Sequence, residues 1–208
     1  MDISIVIPVY QSQDSLAKVI DELQQLPFLS SKEWELILVD DSSADTSFQI
    51  IQQKAKQYSN VKGLSLHKNV GQHSATLAGI FEATGDYLFT LDDDGEHPLD
   101  QLELLLAALE NKKADVVFAL PQKSEKNMIR KILSRGFKKS AEWCSDGYGD
   151  GSAFRLIRKS IYVQLKKHQM PFVFIDEILA WYTKKVAFVP CTFLTSHKKT
   201  TYKPIRLL

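Results

Sequence analysis

Residues 87–98 read Tyr87-Leu88-Phe89-Thr90-Leu91-Asp92-Asp93-Asp94-Gly95-Glu96-His97-Pro98. The first five residues form a short apolar run with aromatic and β-branched members, which predicts a buried strand. That strand ends in three consecutive carboxylates, and a fourth follows Gly95, which permits a sharp turn. Most acidic runs of this kind are solvated turns. This one, however, follows a predicted central strand, and open α/β sheets bind their ligands at the carboxyl ends of their strands.

The spacing of these carboxylates suits a hard divalent cation. Asp92, Asp94 and Glu96 stand at alternate positions, and carboxylate oxygens are preferred ligands of Mg²⁺ and Mn²⁺. Crowding like charges at a strand end is unfavourable unless a cation neutralises them. An EF-hand loop is excluded, because its glycine follows three alternating ligands and Gly95 directly follows Asp94. We therefore expect a Mg²⁺ or Mn²⁺ site at Asp92, Asp94 and Glu96.

Strand and helix patterns alternate on both sides of this stretch. Apolar runs at 3–8, 34–39, 61–66 and 87–91 are predicted strands, and helical patterns lie between them. Short connections between alternating elements predict a doubly wound, mostly parallel α/β sheet. Polar residues follow each strand, so in a parallel sheet all four loops would lie along one edge and one ligand could contact them together.

The second half of the chain is less regular. A helix is predicted to start near Pro98, and Trp143 and Trp181 are expected in the core. The remaining predicted elements are a strand at 115–120, an amphipathic helix at 128–137 with a basic face, a glycine-rich loop at 147–151, a strand at 152–157, a helix at 174–182 and a strand at 186–192.

Composition narrows the function classes. The 208 residues are 44% hydrophobic and 25% charged, as in an ordinary soluble domain with a full core. A net charge of +1 gives the protein no overall positive potential that would attract nucleic acid. No nucleic-acid-binding motif is present in the sequence. Cys144 and Cys191 form neither a disulfide framework nor a metal-binding spacing. No secretory signal or apolar run near ~18 residues is found, which predicts a cytoplasmic location. The basic segment 184–208 adds the cytoplasmic membrane surface as an alternative.

With these segments in place, the chain resembles the family 2 glycosyltransferases of the GT-A fold over nearly its whole length. Five segments match in order: 7–10, 39–45, 69–71, 83–87 and 91–94, the last being the DxD motif. A narrower likeness to dolichyl-phosphate mannose synthase and bacterial polyprenyl-phosphate glycosyltransferases rests on 96–98, 153–156 and 196–206. The chain departs from the family at Gln11-Ser12, where Asn-Glu is common, and at Glu96, where Gln is common.

The resemblance implies metal-dependent, inverting transfer of a sugar from a UDP- or GDP-sugar to an acceptor. That acceptor is a polyprenyl phosphate or a growing cell-surface glycan, as in cell-wall or polysaccharide biosynthesis. One GT-A domain is implied over 1–208, with a nucleotide-sugar-binding half at 1–97 and an acceptor-side half at 98–208. The implied nucleotide contacts are Pro8, Val9, Tyr10, Asp40, Asp41, Asn69, Asp92 and Asp93. The implied catalytic residues are Asp94, Asp176, Glu177 and Arg155, and the candidates for binding an acceptor phosphate are Arg130, Arg135, Lys198 and Lys199.

Two questions stay open at this point. Asp176-Glu177 resembles the family's catalytic-base motif, but both side chains would equally complement a helix dipole. A sugar hydroxyl acceptor needs such a base, whereas a lipid monophosphate is already largely ionised. The alternative functions are a catalytically inactive nucleotide-sugar-binding partner and, less favoured, a sugar nucleotidyltransferase, since Pro8-Val9-Tyr10-Gln11-Ser12 has no glycine for a phosphate loop. His97 is expected to hold the turn after the acidic motif.

Overall fold

The computed structural model of the chain describes residues 1–121, 152–169 and 173–194, which form one mixed sheet flanked by helices. Its strands are β1 (Ile3–Val9), β2 (Trp34–Asp40), β3 (Val61–Ser65), β4 (Tyr87–Thr90), β5 (Val116–Pro121), β6 (Arg155–Arg158) and β7 (Val186–Cys191). The helices are α1 (Leu16–Gln24), α2 (Pro27–Ser30), α3 (Ser47–Gln57), α4 (Gln72–Glu82), α5 (Leu102–Asn111), α6 (Lys159–Leu165) and α7 (Ile175–Tyr182). A 3₁₀ turn, Leu99–Gln101, precedes α5.

The strand order is β3-β2-β1-β4-β6-β5-β7. β1 pairs in parallel with both β2 and β4, β2 pairs with β3 and β5 pairs with β7, whereas β6 is antiparallel to β4 and β5. The predicted doubly wound, mostly parallel sheet is therefore confirmed. The chain runs from β1 outward to β3 and then returns to the other side of β1, so the crevice between β1 and β4 is the topological switch point.

Helices cover both faces of the sheet, which explains the continuous apolar character of its central strands. Every residue of β1 is buried, as expected for a parallel strand with a core on each side. One core packs side chains of α1, α3 and α5 against the sheet, and the other packs those of α4, α6 and α7. The small residues of α4 allow a close approach: a Cβ at Gly79 would lie 2.5 Å from Cγ1 of Val6.

Three sequence expectations differ from the structure, and three more lie outside the described residues. The strand predicted from residue 152 begins at Arg155, and the helix predicted near Pro98 begins as the 3₁₀ turn. Trp181 is not a core residue, because 69% of its surface is exposed. It lies on the side of α7 opposite the buried Ile175 and Leu179, as the helical period places it. Trp143, the helix at 128–137 and the loop at 147–151 fall outside the described part of the chain.

A buried carboxylate joins the amino ends of the strands, at the edge away from the acidic motif. Glu35 is 1% exposed and accepts hydrogen bonds from the Ser4 hydroxyl (2.7 Å), the Thr84 amide (2.8 Å) and the Thr84 hydroxyl (2.6 Å). Lys62 Nζ lies 2.7 Å from its other oxygen. Burial opposes ionisation, but these donors outweigh it and lower the pKa of Glu35 from 4.5 to about 2.

We expect this cluster to make folding acid-sensitive. Because the folded pKa lies below the unfolded one, ionised Glu35 stabilises the fold above about pH 4.5, and that contribution is lost as the pH falls toward about 2. The shift corresponds to about 3 kcal/mol at neutral pH. Urea unfolding of Glu35→Gln should therefore show a large deficit at pH 7 that narrows below pH 4. The exposed Glu33→Gln is the control. A deficit for Glu35→Gln that is the same at pH 7 and pH 3 would contradict this assignment.

Candidate functional site

The acidic loop after β4 is held at its first aspartate by Gln72 from α4 and by His97 from the same loop. Gln72, at the start of α4, donates its side-chain amide to Oδ1 of Asp92 at 2.5 Å. The Asp92 amide donates to Nδ1 of His97 at 3.0 Å, and Nε2 of His97 lies 3.6 Å from Asp92 Oδ2. The imidazole stacks on Phe154, with ring centroids 5.1 Å apart. His97 thus holds the turn after the acidic motif, as expected from its position.

The charge states at this turn follow from burial. Burial and, secondarily, the charge of Arg155 lower the pKa of His97 to about 3, so the imidazole is neutral. Since Nδ1 accepts a hydrogen bond, the proton belongs on Nε2, which faces the Asp92 carboxylate. Burial, with the neighbouring charges of Asp94 and Asp93, raises the pKa of Asp92 to about 7. The ionised carboxylate is therefore poorly compensated by the protein, a condition under which a cation binds favourably.

The predicted three-carboxylate metal site is not assembled. Within residues 1–121, 152–169 and 173–194, no three histidine, cysteine or acidic side chains converge as a metal-binding group. The reason is local: Asp92 is turned to Gln72 and His97, whereas Oδ1 of Asp94 accepts the Glu96 amide at 2.9 Å. Two carboxylates still fit a divalent ion, because Mg²⁺ is usually held by one or two carboxylates together with substrate phosphates. Asp92 and Asp94 have the right chemistry for this arrangement.

The loop after β1 lies directly against the acidic loop. Oδ2 of Asp93 accepts the Tyr10 amide at 3.0 Å and the Ser12 hydroxyl, and the Ser15 hydroxyl donates to the Asp93 carbonyl at 2.7 Å. Sequence reasoning missed Ser12 and Ser15, as it missed Gln72. One indication of these three residues was present in the sequence, which is that they lie in or beside the loops at the carboxyl ends of the strands.

The nucleotide contacts predicted at Pro8, Val9 and Tyr10 fall at the carboxyl end of β1. The side chains of Pro8 and Val9 are buried within the strand. Tyr10, half-buried at the strand end, is the member of the set that faces outward.

The predicted nucleotide carboxylates after β2 are also turned inward. Asp41 is 0% exposed and accepts the amides of Val70 (2.8 Å) and Gly71 (2.9 Å). Asp40 is 2% exposed, and its carboxylate lies 3.4 Å from the Ser43 amide. The Asp41 carboxylate thus supports the loop at 68–71, and the Asp40 carboxylate faces the loop that follows β2, since buried carboxylates require such donors.

That supported loop borders a cavity. Asn69 is exposed and lines a cavity of about 600 Å³ together with Lys68, Ser74 and Val173. The volume is within the range of small-molecule sites.

The predicted catalytic residues of the second half are joined in a buried ion pair. Arg155, in β6, is 4% exposed and donates from Nη1 to Oδ1 of Asp176 at 2.6 Å and from Nε to the Ser152 carbonyl at 3.0 Å. Asp176 lies in the first turn of α7, where it was expected, and is 7% exposed. Glu177 beside it is exposed. Of the two candidate bases, then, one is paired and one faces solvent.

The remaining candidates, Arg130, Arg135, Lys198 and Lys199, lie outside the described residues. Among the helices that are described, none combines the length and the apolar character needed to cross a membrane.

Comparison with known proteins gives one matching family and several relatives. The model of the family "Glycosyl transferase family 2" matches residues 4–167. Undecaprenyl-phosphate 4-deoxy-4-formamido-L-arabinose transferases of Klebsiella pneumoniae and of Salmonella choleraesuis are each 34% identical over 134 residues. These alignments cover 64% of this chain and 41% of each relative, so the chain spans about two fifths of their length.

Solved structures agree with the observed sheet. The mannosyltransferase PcManGT from Pyrobaculum calidifontis, in complex with GDP-Man and Mn²⁺, aligns with a TM-score of 0.68 at 15% identity, covering 96% of this chain and 58% of that one. TarS of S. aureus, in complex with UDP-GlcNAc, aligns with a TM-score of 0.67 at 15% identity, covering 96% and 60%. At this identity the likeness shows the fold alone. The family match, however, runs from β1 through α6 and includes the switch-point crevice and the acidic loop, so the chain belongs to glycosyl transferase family 2.

Proposed function

We propose that the chain transfers a sugar from a nucleoside diphosphate sugar to a polyprenyl phosphate, with inversion at the anomeric carbon and with the help of Mg²⁺ or Mn²⁺. The observation that carries this proposal is the direct bonding of the loop after β1 to the acidic loop after β4 at the switch point of the sheet. Ligands of open α/β sheets bind in this crevice.

The proposed binding of the nucleotide-sugar donor rests on the side chains that face the crevice. Tyr10 and the carboxylates of Asp92 and Asp94 are half-buried there, so they retain surface for a ligand. Asp92 and Asp94 would hold the divalent ion. When bound, that ion neutralises the charge that develops on the leaving nucleoside diphosphate. The mannosyltransferase of the same fold in complex with GDP-Man and Mn²⁺ supports this assignment.

The burial and pairing of the two candidate bases, Asp176 and Glu177, bear on the class of acceptor. A hydroxyl acceptor needs a carboxylate that can take its proton. Asp176 is buried and bonded to Arg155, which leaves Glu177 of the pair facing solvent. A lipid monophosphate, with a second pKa of ~6, is largely ionised at neutral pH and attacks without a base. The relatives named as undecaprenyl-phosphate transferases favour the same class. We assign the donor to residues 1–97 and the acceptor to the later half.

The first test is calorimetric titration with UDP and with GDP, each with and without Mn²⁺. We expect one nucleotide to bind tightly in the presence of Mn²⁺, and Asp94→Asn to weaken that binding by at least about 100-fold, because even the loss of a group that only supports a metal ligand costs up to about that much. Asp100→Asn, an exposed carboxylate in the adjoining 3₁₀ turn, is the matched control and should bind as the wild type does.

Either of two results would contradict the proposal. A folded wild-type protein that binds neither nucleotide in Mn²⁺ lacks the proposed donor site. Binding that is equally tight without metal, or unchanged in Asp94→Asn, removes the role of the acidic loop. Transfer of labelled sugar to a polyprenyl phosphate, compared with the corresponding polyprenol, then tests the acceptor: the phosphate alone should be glycosylated.

A further inference from the structure

The middle residue of the acidic motif is bonded differently from its neighbours. A single oxygen of Asp93, Oδ2, accepts both the Tyr10 amide and the Ser12 hydroxyl. The Asp93 carbonyl accepts the Ser15 hydroxyl at 2.7 Å. Side chain and backbone of this one residue therefore contact the start, the middle and the end of the loop at 10–15.

That loop is held by a few hydrogen bonds of its own, such as the Ser15 amide to the Ser12 carbonyl at 3.1 Å, and by contacts on two sides. Gln11 adopts φ 51°, a left-handed conformation that is unfavourable for a residue other than glycine and persists where surrounding contacts impose it. On one side, the Gln11 amide donates to Ser43 Oγ at 3.0 Å and the Ser12 amide donates to Ser47 Oγ at 2.9 Å. Asp93 holds the loop from the other side. Ser43 ties it to the loop after β2, Ser47 ties it to the start of α3, and Asp93 ties it to the acidic loop.

We propose that Asp93 is a positioning residue rather than a ligand of the metal or the nucleotide: it fixes the Tyr10 loop to the acidic loop, so that the donor's nucleoside and its diphosphate are bound in one geometry. This inference rests on the proposed function for its donor. Its physical basis is independent of the donor, because the hydrogen bonds between the two loops are made within the protein itself.

Three variants separate this role from ligation. Asp93→Asn removes the charge but leaves one carbonyl oxygen, which is enough to accept both donors, since both use the same oxygen in the wild type. Asp93→Ala removes the acceptor. Ser12→Ala removes one donor and leaves the charge of Asp93 in place. Asp14→Asn, an exposed carboxylate in the same loop, is the control.

The probes are UDP and GDP in saturating Mn²⁺, titrated by calorimetry. We expect Asp93→Ala to weaken nucleotide binding about tenfold, Ser12→Ala to weaken it about threefold, and Asp93→Asn to stay within about threefold of the wild type. The double variant Ser12→Ala/Asp93→Ala should bind nearly as well as Asp93→Ala, since both changes break the Ser12–Asp93 bond and Ser12→Ala adds only the loss of the longer contact to the Tyr10 carbonyl. If Asp93 were a metal ligand, Asn and Ala would be equally damaging and Ser12→Ala would be harmless. That pattern overturns the proposal, as does unchanged binding in all three variants.

Hydrogen exchange of the free protein supplies a readout that needs no nucleotide. Amide exchange in a peptide spanning residues 10–15 should accelerate in Asp93→Ala and Ser12→Ala and remain slow in Asp93→Asn and Asp14→Asn. Equal exchange in the wild type and Asp93→Ala overturns the positioning role. If the wild type binds neither nucleotide while exchange follows the expected pattern, the donor assignment fails and the loop attachment stands.

Discussion

Gly85→Ala should destabilise the protein by at least about 3 kcal/mol, the upper part of the usual range for overpacking. A Cβ at Gly85 would lie 2.6 Å from the backbone nitrogen of Ser4 and 2.7 Å from the carbonyl carbon of Ile3. Both are atoms of the central strand β1, whose every residue is buried, so they cannot move aside as a side chain would. The Gly85 amide also donates to Ser4 Oγ at 2.8 Å, and its carbonyl accepts the Tyr162 hydroxyl.

Urea unfolding at pH 7, followed by circular dichroism, measures this effect. Thr84→Ala is the control from the adjoining position: it removes one hydroxyl bond to Glu35 and adds no atom, so it should cost about 1 kcal/mol. Similar losses in the two variants would show that β1 and the segment before β4 can separate, contrary to the close contact described. If Gly85→Ala yields no folded protein while Thr84→Ala folds, the loss caused by the added Cβ exceeds the stability of the wild type, as the close contact predicts.

The central half of the sheet was predictable because each of its strands carries a local signal. The runs at 3–8, 34–39 and 87–91 are apolar, bounded by polar loops, and alternate with helices, which restricts the topology to a doubly wound sheet. The direction of β6 had no such signal. Arg155–Arg158 resembles any short strand, and its antiparallel placement depends on pairing with β4 and β5, far away in the chain.

The sequence pattern indicates where the candidate site lies, but it does not indicate which side chains face a ligand there. The acidic residues after β2 and β4 do lie at one edge of the sheet, as the pattern indicates. Which of them face a ligand depends on long-range donors that no local pattern contains. Asp41 is satisfied by amides 29 and 30 residues later, and Asp93 by an amide 83 residues earlier. Inward-turned and outward-turned carboxylates therefore look alike in the sequence.

Asp176→Asn is the second change expected to have a large effect, a loss of about 3–5 kcal/mol, because it removes the carboxylate charge that is bonded directly to the buried guanidinium of Arg155. Glu177→Gln, at the next position of the same helical turn, alters an exposed carboxylate and should change stability by less than about 0.5 kcal/mol. Urea midpoints of the two variants and the wild type provide the measurement. The two variants thus test whether Asp176, unlike Glu177, is needed for the stability of the fold.

Replacing both partners sharpens this test. In Arg155→Met/Asp176→Leu the buried charge and its counter-charge leave together, so most of the stability lost in Asp176→Asn should return, as it does for buried ion pairs replaced by apolar residues. If the double variant is as unstable as Asp176→Asn, the stability lost in Asp176→Asn arises from the altered side-chain shape and not from the unpaired charge.

Activity with a polyprenyl phosphate acceptor then separates the two carboxylates. Glu177→Gln should keep transfer within about threefold of the wild type if the acceptor needs no base, whereas loss of a general base costs about 10²–10⁴-fold. The double variant should fold yet transfer poorly, because Arg155 is the buried cation whose charge acts on Asp92. If Glu177→Gln is stable and inactive, the acceptor is a hydroxyl and Glu177 is its base. If the refolded double variant is fully active, the Arg155–Asp176 pair is purely structural, and the acidic loop of Asp92 functions without a neighbouring positive charge.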